Sequence, residues 1–369
     1  MRSAVEWIES LSPWPREGFG LDRMRALLSR LGDPQRAYPS IHVVGTNGKT
    51  TTTRIAEDTL RAEGVGTGAY TSPHVTGWSE RIRVHGREAD FEQAVARVRP
   101  AAEALGATQF EVLTAAALAE FAAAEVEVAA VEAGLGGRHD ATNVLRSPVQ
   151  VLTNVALEHT RVLGATREAI AGEKLAVVQP GSTVVLGEAE WEELARTNGA
   201  AGVVVETRGN PFLAAAAVQA FLGRAVEAVA VELPGHLERR DGEIWDGAHT
   251  PEAVRFIGPS LPAIGAIVLS LLEDKDWTGI LEALSEHASV LVATASSSAR
   301  AVPAGLLAER AAPHFAHVEA VADPRQALLR AHELAGAGAV LVTGSFYLLA
   351  DLAADVRSGR VPWAVPPRS

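Results

Sequence analysis

The chain has 369 residues, enough for two domains of ordinary size, and its 45 acidic against 33 basic side chains give a formal charge of −12. That balance excludes a chain-wide electrostatic attraction to nucleic acid or to an anionic membrane. The absence of cysteine excludes disulfides, thiolate metal sites and a thiol nucleophile, so any metal must be held by oxygen or imidazole.

The N-terminal stretch "MRSAVEWIESLSPWPREGFG" carries Glu6 and Glu9 inside its apolar positions and no small-residue cleavage site, so it does not read as an export signal. The most apolar stretches, 113–124 and 263–272, fall short of the roughly 20 residues a membrane span needs. A cytoplasmic protein without membrane contact is the expectation. The run "SIHVV" at 40–44 predicts a buried strand that enters "GTNGKTTTT" and leaves as a helix. Gly45 and Gly48 let backbone N–H groups approach phosphate oxygens, and the helix start adds free donors and a partial positive charge. Lys49 would neutralise terminal phosphates, and a hydroxyl from Thr50 or Thr51 can ligate Mg²⁺. Thr52 and Thr53 are expected to make helix and core contacts. The strict G-x-x-x-x-G-K-[ST] pattern is not met, because Val43 stands five residues before Gly48.

Further strands are predicted at 126–132, 148–155 and 182–187, alternating with Ala- and Leu-rich helical stretches, which implies parallel strands joined by crossover helices. Glu132 falls at the C-terminal end of its strand, the edge where open α/β sheets bind ligands. The loop after it, "GLGGRHDATN", offers Arg138, Asp140 and Asn143. Glu158 and His159 follow the next strand, and an imidazole there can complete a metal site with Glu132. Lys174 lies on a helix predicted to start near Thr166 and by default is solvated. A helical stretch at 210–227 ends before Pro234 and Gly235, which places a domain boundary near 232. A second α/β sheet is expected from strands at 266–272, 289–295, 317–321 and 339–344. Asp246 and His249 precede a helix that begins near Pro251, with Thr250 as its cap. Thr343, Gly344 and Ser345 run from a strand straight into a helix, an arrangement suited to an anion or carboxylate. The tail "VPWAVPPRS" reads as frayed.

Taken in order, "HVVGTNGKTT", "TSPHVTGWSERI", "FEVLTAAAL", "EAGLGGRHDATNV", "LEHTRVLGATREAIAGEK", "LPGHLE", "DGAHTP" and "TGSFYLL" resemble the folylpolyglutamate synthase/dihydrofolate synthase family of the Mur ligase superfamily. The similarity runs from about Gly20 to Leu352. It implies an α/β protein with an N-terminal P-loop-type ATP-binding domain, residues 1–232, and a C-terminal Rossmann-like glutamate-binding domain, residues 233–369. It implies an ATP-dependent amide ligase in which a pteroate or folate carboxylate is phosphorylated and L-glutamate then attacks the acyl phosphate. The implied cofactors are ATP, two Mg²⁺ ions and a K⁺ ion, and the implied state is a monomer with no nucleic-acid partner.

Residue by residue, the resemblance assigns Gly45, Thr46, Asn47, Gly48, Lys49, Thr50 and Thr51 to the ATP loop. It assigns Thr51, Ser72 and Glu132 to Mg²⁺, and His159 to the second metal. Lys174 matches a lysine that the family carbamylates, which replaces the default reading of it. Asn210 looks like the adenine-proximal asparagine, and Asp246 matches a nucleotide or hinge contact. His249 and Ser345 match positions associated with glutamate, and Arg81, Arg138 and Asp140 fall among substrate contacts. His236 stands where the family has an arginine for ATP phosphates, and Thr50-Thr51 replace its usual Gly-Ser. A divergent Mur-superfamily ligase with another carboxylate acceptor and a degenerate ATP-binding module stand as rival readings.

Overall fold

The computed structural model describes residues 2–13, 18 and 20–357, so the predicted frayed tail at 361–369 lies outside the described residues. The chain forms two compact units. One comprises the residues up to Ser72 together with Trp78–Val231, and the other comprises Pro73–Gly77 together with the residues from Glu232 onward.

The first unit is built on eight strands: β1 (Ser40–Val44), β2 (Thr67–Tyr70), β3 (Ile82–Val84), β4 (Arg87–Glu88), β5 (Val128–Glu132), β6 (Val149–Leu152), β7 (Thr183–Leu186) and β8 (Gly202–Val205). Their order in the sheet is β4-β3-β2-β5-β1-β6-β7-β8, parallel from β2 to β8 with β3 and β4 antiparallel at one edge. Both faces are covered, as a parallel sheet requires. In β5, Val128 and Ala130 point into the layer formed with helices Lys49–Ala62 and Asn210–Leu222, through Ile55, Leu60, Leu213 and Val218. Ala129 and Val131 point the other way, into the layer that holds Leu113, Leu118 and Phe121 of helix Gln109–Ala123. That last helix is apolar all round because it is buried all round, and Glu111 closes its start by accepting the Thr108 N–H at 2.8 Å.

The expected strands are present; 40–44 keeps its bounds, the strand expected at 266–272 spans Ile264–Leu269, and the others are shorter. The stretch 148–155 stops pairing at Leu152, which leaves Thr153 and Asn154 in the loop, and helix Asn210–Leu222 stops at Gly223, whose φ of 69° caps it. The short strands β2, β3, β4 and β8 carry too few residues for a period-2 pattern to stand out.

The second unit has six strands: β9 (Glu238–Arg240), β10 (Glu243–Trp245), β11 (Ile264–Leu269), β12 (Val290–Ala293), β13 (His317–Ala320) and β14 (Ala339–Thr343). Their order is β13-β12-β11-β14-β10-β9, with only β9 antiparallel. Ile267 and Leu269 face one apolar layer, Ala266 and Val268 the other. The second layer also contains Val75, 3% exposed, packed with Trp245, Leu348 and Leu349. A five-residue piece from the first half of the chain thus belongs to the second unit, with Val75 in its core. Helix Pro251–Ile257 begins as expected, with Thr250 accepting the Ala253 N–H at 3.2 Å.

Candidate active site

The C-terminal ends of β2, β5, β1 and β6 lie side by side, so the residues that follow them are neighbours. Val43 is in register with Glu132, and Val44 with Leu152. The loop after β1 needs both of its glycines. Gly45 has a φ of 153°, and a Cβ there would lie 1.8 Å from Thr153 Oγ1. Gly48 has a φ of 78° as the helix cap, and its Cβ would lie 2.6 Å from Asn210 Oδ1, so Asn210 packs directly over the loop. Lys49 Nζ donates to Thr46 O at 2.9 Å.

Glu132 ends β5 and is 1% exposed. Its two carboxylate oxygens accept from Thr50 Oγ1 at 3.1 and 2.9 Å, and Oε2 also accepts the Ser72 N–H at 3.0 Å. Burial pushes its pKa up to about 7, against the pull of Lys49, the Ser72 N–H, the Thr50 hydroxyl and Arg81. Of the two threonine hydroxyls offered by the sequence for Mg²⁺, that of Thr50 is the one bonded to this carboxylate, while the resemblance gave Thr51 to the metal. The reason is phase: with the cap at Gly48, each further residue turns by about 100°, and Thr50 is the one that faces β5. Ser72 contributes its backbone N–H. The oxygen groups here are the Glu132 carboxylate and the Thr50 hydroxyl, and no cluster of three or more His, Asp or Glu suited to a metal exists among the described residues. The set fits Mg²⁺ that keeps most of its ligands as water and phosphate oxygens, and it does not fit an all-protein cage.

Lys174 ends helix Arg167–Lys174, is 4% exposed, and donates from Nζ to Gly45 O at 2.6 Å. Burial first, then Lys49, pulls its pKa down to about 7, while Glu158 and Asp140 act in the opposite sense. A lysine whose helix position alone would read as solvated is thus buried under the phosphate loop. His159, with a φ of 51°, opens the short helix Thr160–Leu163. Its Nε2 lies 3.8 Å from Glu158 Oε1, and its side chain is 35% exposed.

Two residues expected among the substrate contacts, Asp140 and Arg138, have partners within the fold. Asp140 is buried, and its oxygens accept the Leu135 N–H at 2.7 Å and the Thr142 N–H at 3.0 Å, together with the Thr142 hydroxyl. Burial raises its pKa against these bonds. The Thr142 hydroxyl is shared with His42 Nε2 at 2.8 Å, and with the hydroxyl proton on Asp140 the imidazole is the donor. His42 is buried in β1, and its pKa is lowered to about 4 by that burial. Arg138 Nε turns to Glu173 at 2.8 Å. Arg81 stacks its guanidinium 4.9 Å from the Trp78 ring and remains close enough to Glu132 to lower its pKa.

In the second unit, Asp246 and His249 follow β10 and Ser345 follows its partner strand β14, with His236 and His249 near enough to Asp246 to act on its charge. Asp246 accepts the N–H groups of Leu237 and Ala248, each at 2.8 Å, and burial raises its pKa against the charges of His236 and His249. His236 Nδ1 lies 2.9 Å from Pro234 O, and His249 Nδ1 lies 2.8 Å from Gly247 O. A carbonyl can only accept, so each Nδ1 carries hydrogen. Both rings lie against Phe346, at 5.4 and 6.3 Å between centroids. Ser345 Oγ accepts the Tyr347 N–H at 3.1 Å at the start of helix Phe346–Arg357.

A phosphate loop at the switch of a parallel sheet, a buried acid beside it and a second α/β unit define a class that the comparisons identify. Residues 43–209 match the Mur ligase middle domain, and residues 237–346 match the glutamate ligase domain of Mur ligases. The dihydrofolate synthase/folylpolyglutamate synthase of Mycobacterium tuberculosis is 34% identical over 390 residues, covering 82% of this chain and 80% of that protein. The structure of the Mycobacterium tuberculosis folylpolyglutamate synthase complexed with ADP has a TM-score of 0.86 at 30% identity, over 96% of this chain and 97% of that one. A bifunctional folylpolyglutamate synthase/dihydrofolate synthase with Mn, AMPPNP and L-glutamate bound gives 0.83 at 27% identity, over 97% and 98% of the two chains. The chain belongs to the folylpolyglutamate synthase/dihydrofolate synthase family of the Mur ligase superfamily. Among the described residues no helix is long and apolar enough to cross a membrane.

Proposed function

We infer that this chain is an ATP-dependent ligase that joins L-glutamate to dihydropteroate, to folates, or to both, through an acyl phosphate. One observation carries the site assignment: Glu132, buried at the end of β5, is joined to Thr50 of the phosphate loop and lies within the field of Lys49. The names of the relatives support the substrates, and the bound Mn, AMPPNP and L-glutamate of the solved relative support the divalent cation, the nucleotide and the amino acid.

In this reading the N–H groups at the start of helix Lys49–Ala62 cradle the phosphates, and Lys49 leaves Thr46 O to offset the charge that gathers on the transferred group. The substrate carboxylate attacks the terminal phosphorus, the bond to the bridging oxygen breaks, and ADP departs. The glutamate amine then attacks the acyl carbon, loses a proton and expels phosphate. Mg²⁺ held at Glu132 and Thr50 would spread the charge of the phosphoryl group. No step needs a protein nucleophile, which suits a site without an activated Ser or Cys. Lys174, with its pKa lowered to about 7, has a neutral amine available for carbamylation near neutral pH. Labelled bicarbonate followed by carbon NMR tests this, since Lys174→Met must lose the carbamate signal.

Glutamate recognition falls to the second unit, where His249 and Ser345 follow the neighbouring strands β10 and β14, and His236 supplies a titratable group where the family has an arginine. The deciding experiment supplies MgATP and glutamate with dihydropteroate or a reduced folate, and reads ADP release and product mass. A glutamylated product that depends on acceptor is expected. Activity with another carboxylate but neither of these acceptors would move the assignment to a divergent Mur-superfamily ligase.

A further inference from the structure

The phosphate loop is held from one side by the residues that follow β6. Thr46 N–H donates to Asn154 O at 3.0 Å, and Asn47 N–H donates to Asn154 Oδ1 at 2.9 Å. Asn154 Nδ2 returns a bond to Asn47 O at 3.1 Å, where Thr153 Oγ1 also donates at 2.7 Å. Ala156 N–H closes the set on Thr46 Oγ1 at 3.0 Å. The carboxamide of Asn154 therefore pairs with both backbone groups of Asn47, as a neighbouring strand would. Its own backbone continues into a clamp. Val155 N–H donates to Glu188 Oε2 at 3.0 Å, Arg167 Nε donates to Val155 O at 2.9 Å, and Arg167 Nη2 joins Glu188 Oε1 at 3.0 Å.

We propose that Asn154 is the positioning residue of the nucleotide site, holding Asn47 by both backbone groups so that the loop is set for phosphate before nucleotide arrives. This rests on the reading that the loop binds nucleotide. The pairing has a second consequence. The N–H groups of Thr46 and Asn47 are occupied by Asn154, so the phosphates are received by the donors that follow, Gly48 and the first turn of the helix, whose N–H groups have no carbonyl four residues back. Asn154 does not touch the phosphates in this scheme. It removes two donors from the cradle and fixes the direction of the rest. Preorganised donors lower the reorganisation that binding would otherwise require.

The direction of the amide makes the idea testable. Asparagine offers an acceptor to the Asn47 N–H and a donor to the Asn47 carbonyl. Aspartate has the same shape but sets an oxygen against that carbonyl and a negative charge near the phosphates. We expect Asn154→Ala to raise the Kd of MgADP, measured by calorimetry, about tenfold, and Asn154→Asp to raise it further. KM for ATP should follow, while KM for glutamate and the melting temperature stay close to those of the wild type. Thr153→Val, which keeps the shape and removes one donor to Asn47 O, should raise Kd about threefold, and it serves if the Asn154 variants do not fold. Lys49→Ala is measured alongside. If Lys49→Ala binds MgADP normally, the loop reading itself is wrong. If Lys49→Ala is weakened while Asn154→Asp binds like wild type, the positioning role alone is overturned. A parallel rise in the KM for glutamate would likewise reduce Asn154 to a general structural contact.

Discussion

At the scale of single residues, the buried groups Glu132 and Lys174 carry opposite pH signatures in the nucleotide-free protein. The Glu132 pKa rises from 4.5 to about 7, so between those values the folded chain holds a proton that the unfolded chain has released. Stability falls as pH rises through that window. The Lys174 pKa falls from 10.5 to about 7, so between pH 7 and 10.5 the unfolded chain holds the extra proton, and stability rises with pH. The joint contribution is smallest near pH 7. Thermal melts across pH should show Glu132→Gln flattening the falling limb and Lys174→Met the rising one, and unchanged slopes would refute the burial argument. The two threonines separate in the same way. Thr50→Val should lower kcat at least about 100-fold and weaken the response to Mg²⁺, whereas Thr51→Val should stay within severalfold of wild type, because only Thr50 touches Glu132. Lys49→Ala and Glu132→Ala should each abolish turnover, and a near-normal rate in either would sink the site.

At the scale of elements, the site depends on how closely one strand end approaches the next. Thr153 Oγ1 occupies the place a side chain at position 45 would take, and the loop turns at a φ that glycine favours. Gly45→Ala should therefore destabilise the protein by about 1–3 kcal/mol and abolish nucleotide binding, as read by denaturant melts and calorimetry. A variant that binds MgADP normally would mean that the loop and the end of β6 are not locked together. Helix phase belongs to this scale as well. "GTNGKTTTT" displays a phosphate loop on its face, but which threonine meets Glu132 follows from a cap at Gly48, and neither glycine nor threonine declares its own φ. Glu132 itself was legible, since an acid closing an apolar strand of an α/β pattern falls on the ligand edge of the sheet. Asp140 was not. Its partners include the N–H of Leu135 and, through Thr142, a histidine one strand away, internal ties that a polar residue in a glycine-rich loop does not announce.

At the scale of the whole molecule, ligand binding is a stability measurement. With MgADP at about 100 times its Kd, binding to the folded chain alone adds about 2.7 kcal/mol, and the melting temperature should rise accordingly. The rise should shrink in Lys49→Ala with the logarithm of its lost affinity, and an equal rise in both proteins would show that nucleotide binds elsewhere. The two sheets were readable from the repeated rhythm of short β-branched runs and helical stretches. The membership of Val75 was not. It lies in the sequence between Ser72 and Trp78 of the first unit, yet its side chain is packed with Trp245 and Leu349 in the second.

By itself the sequence determined the kind of protein this is: two α/β units, a phosphate loop, an acid at a strand end and an order of motifs that belongs to one ligase family. Those features are local, because glycine freedom, hydrophobic period and charge act over a few neighbouring residues. The tertiary structure alone decided which hydroxyl meets Glu132, that Lys174 is buried against Gly45, that Asp140 is a tie, and that Asn154 holds the loop. Most of these are contacts between chain segments far apart in sequence, and burial and hydrogen-bond pairing between such segments exist only once the sheet has brought them side by side.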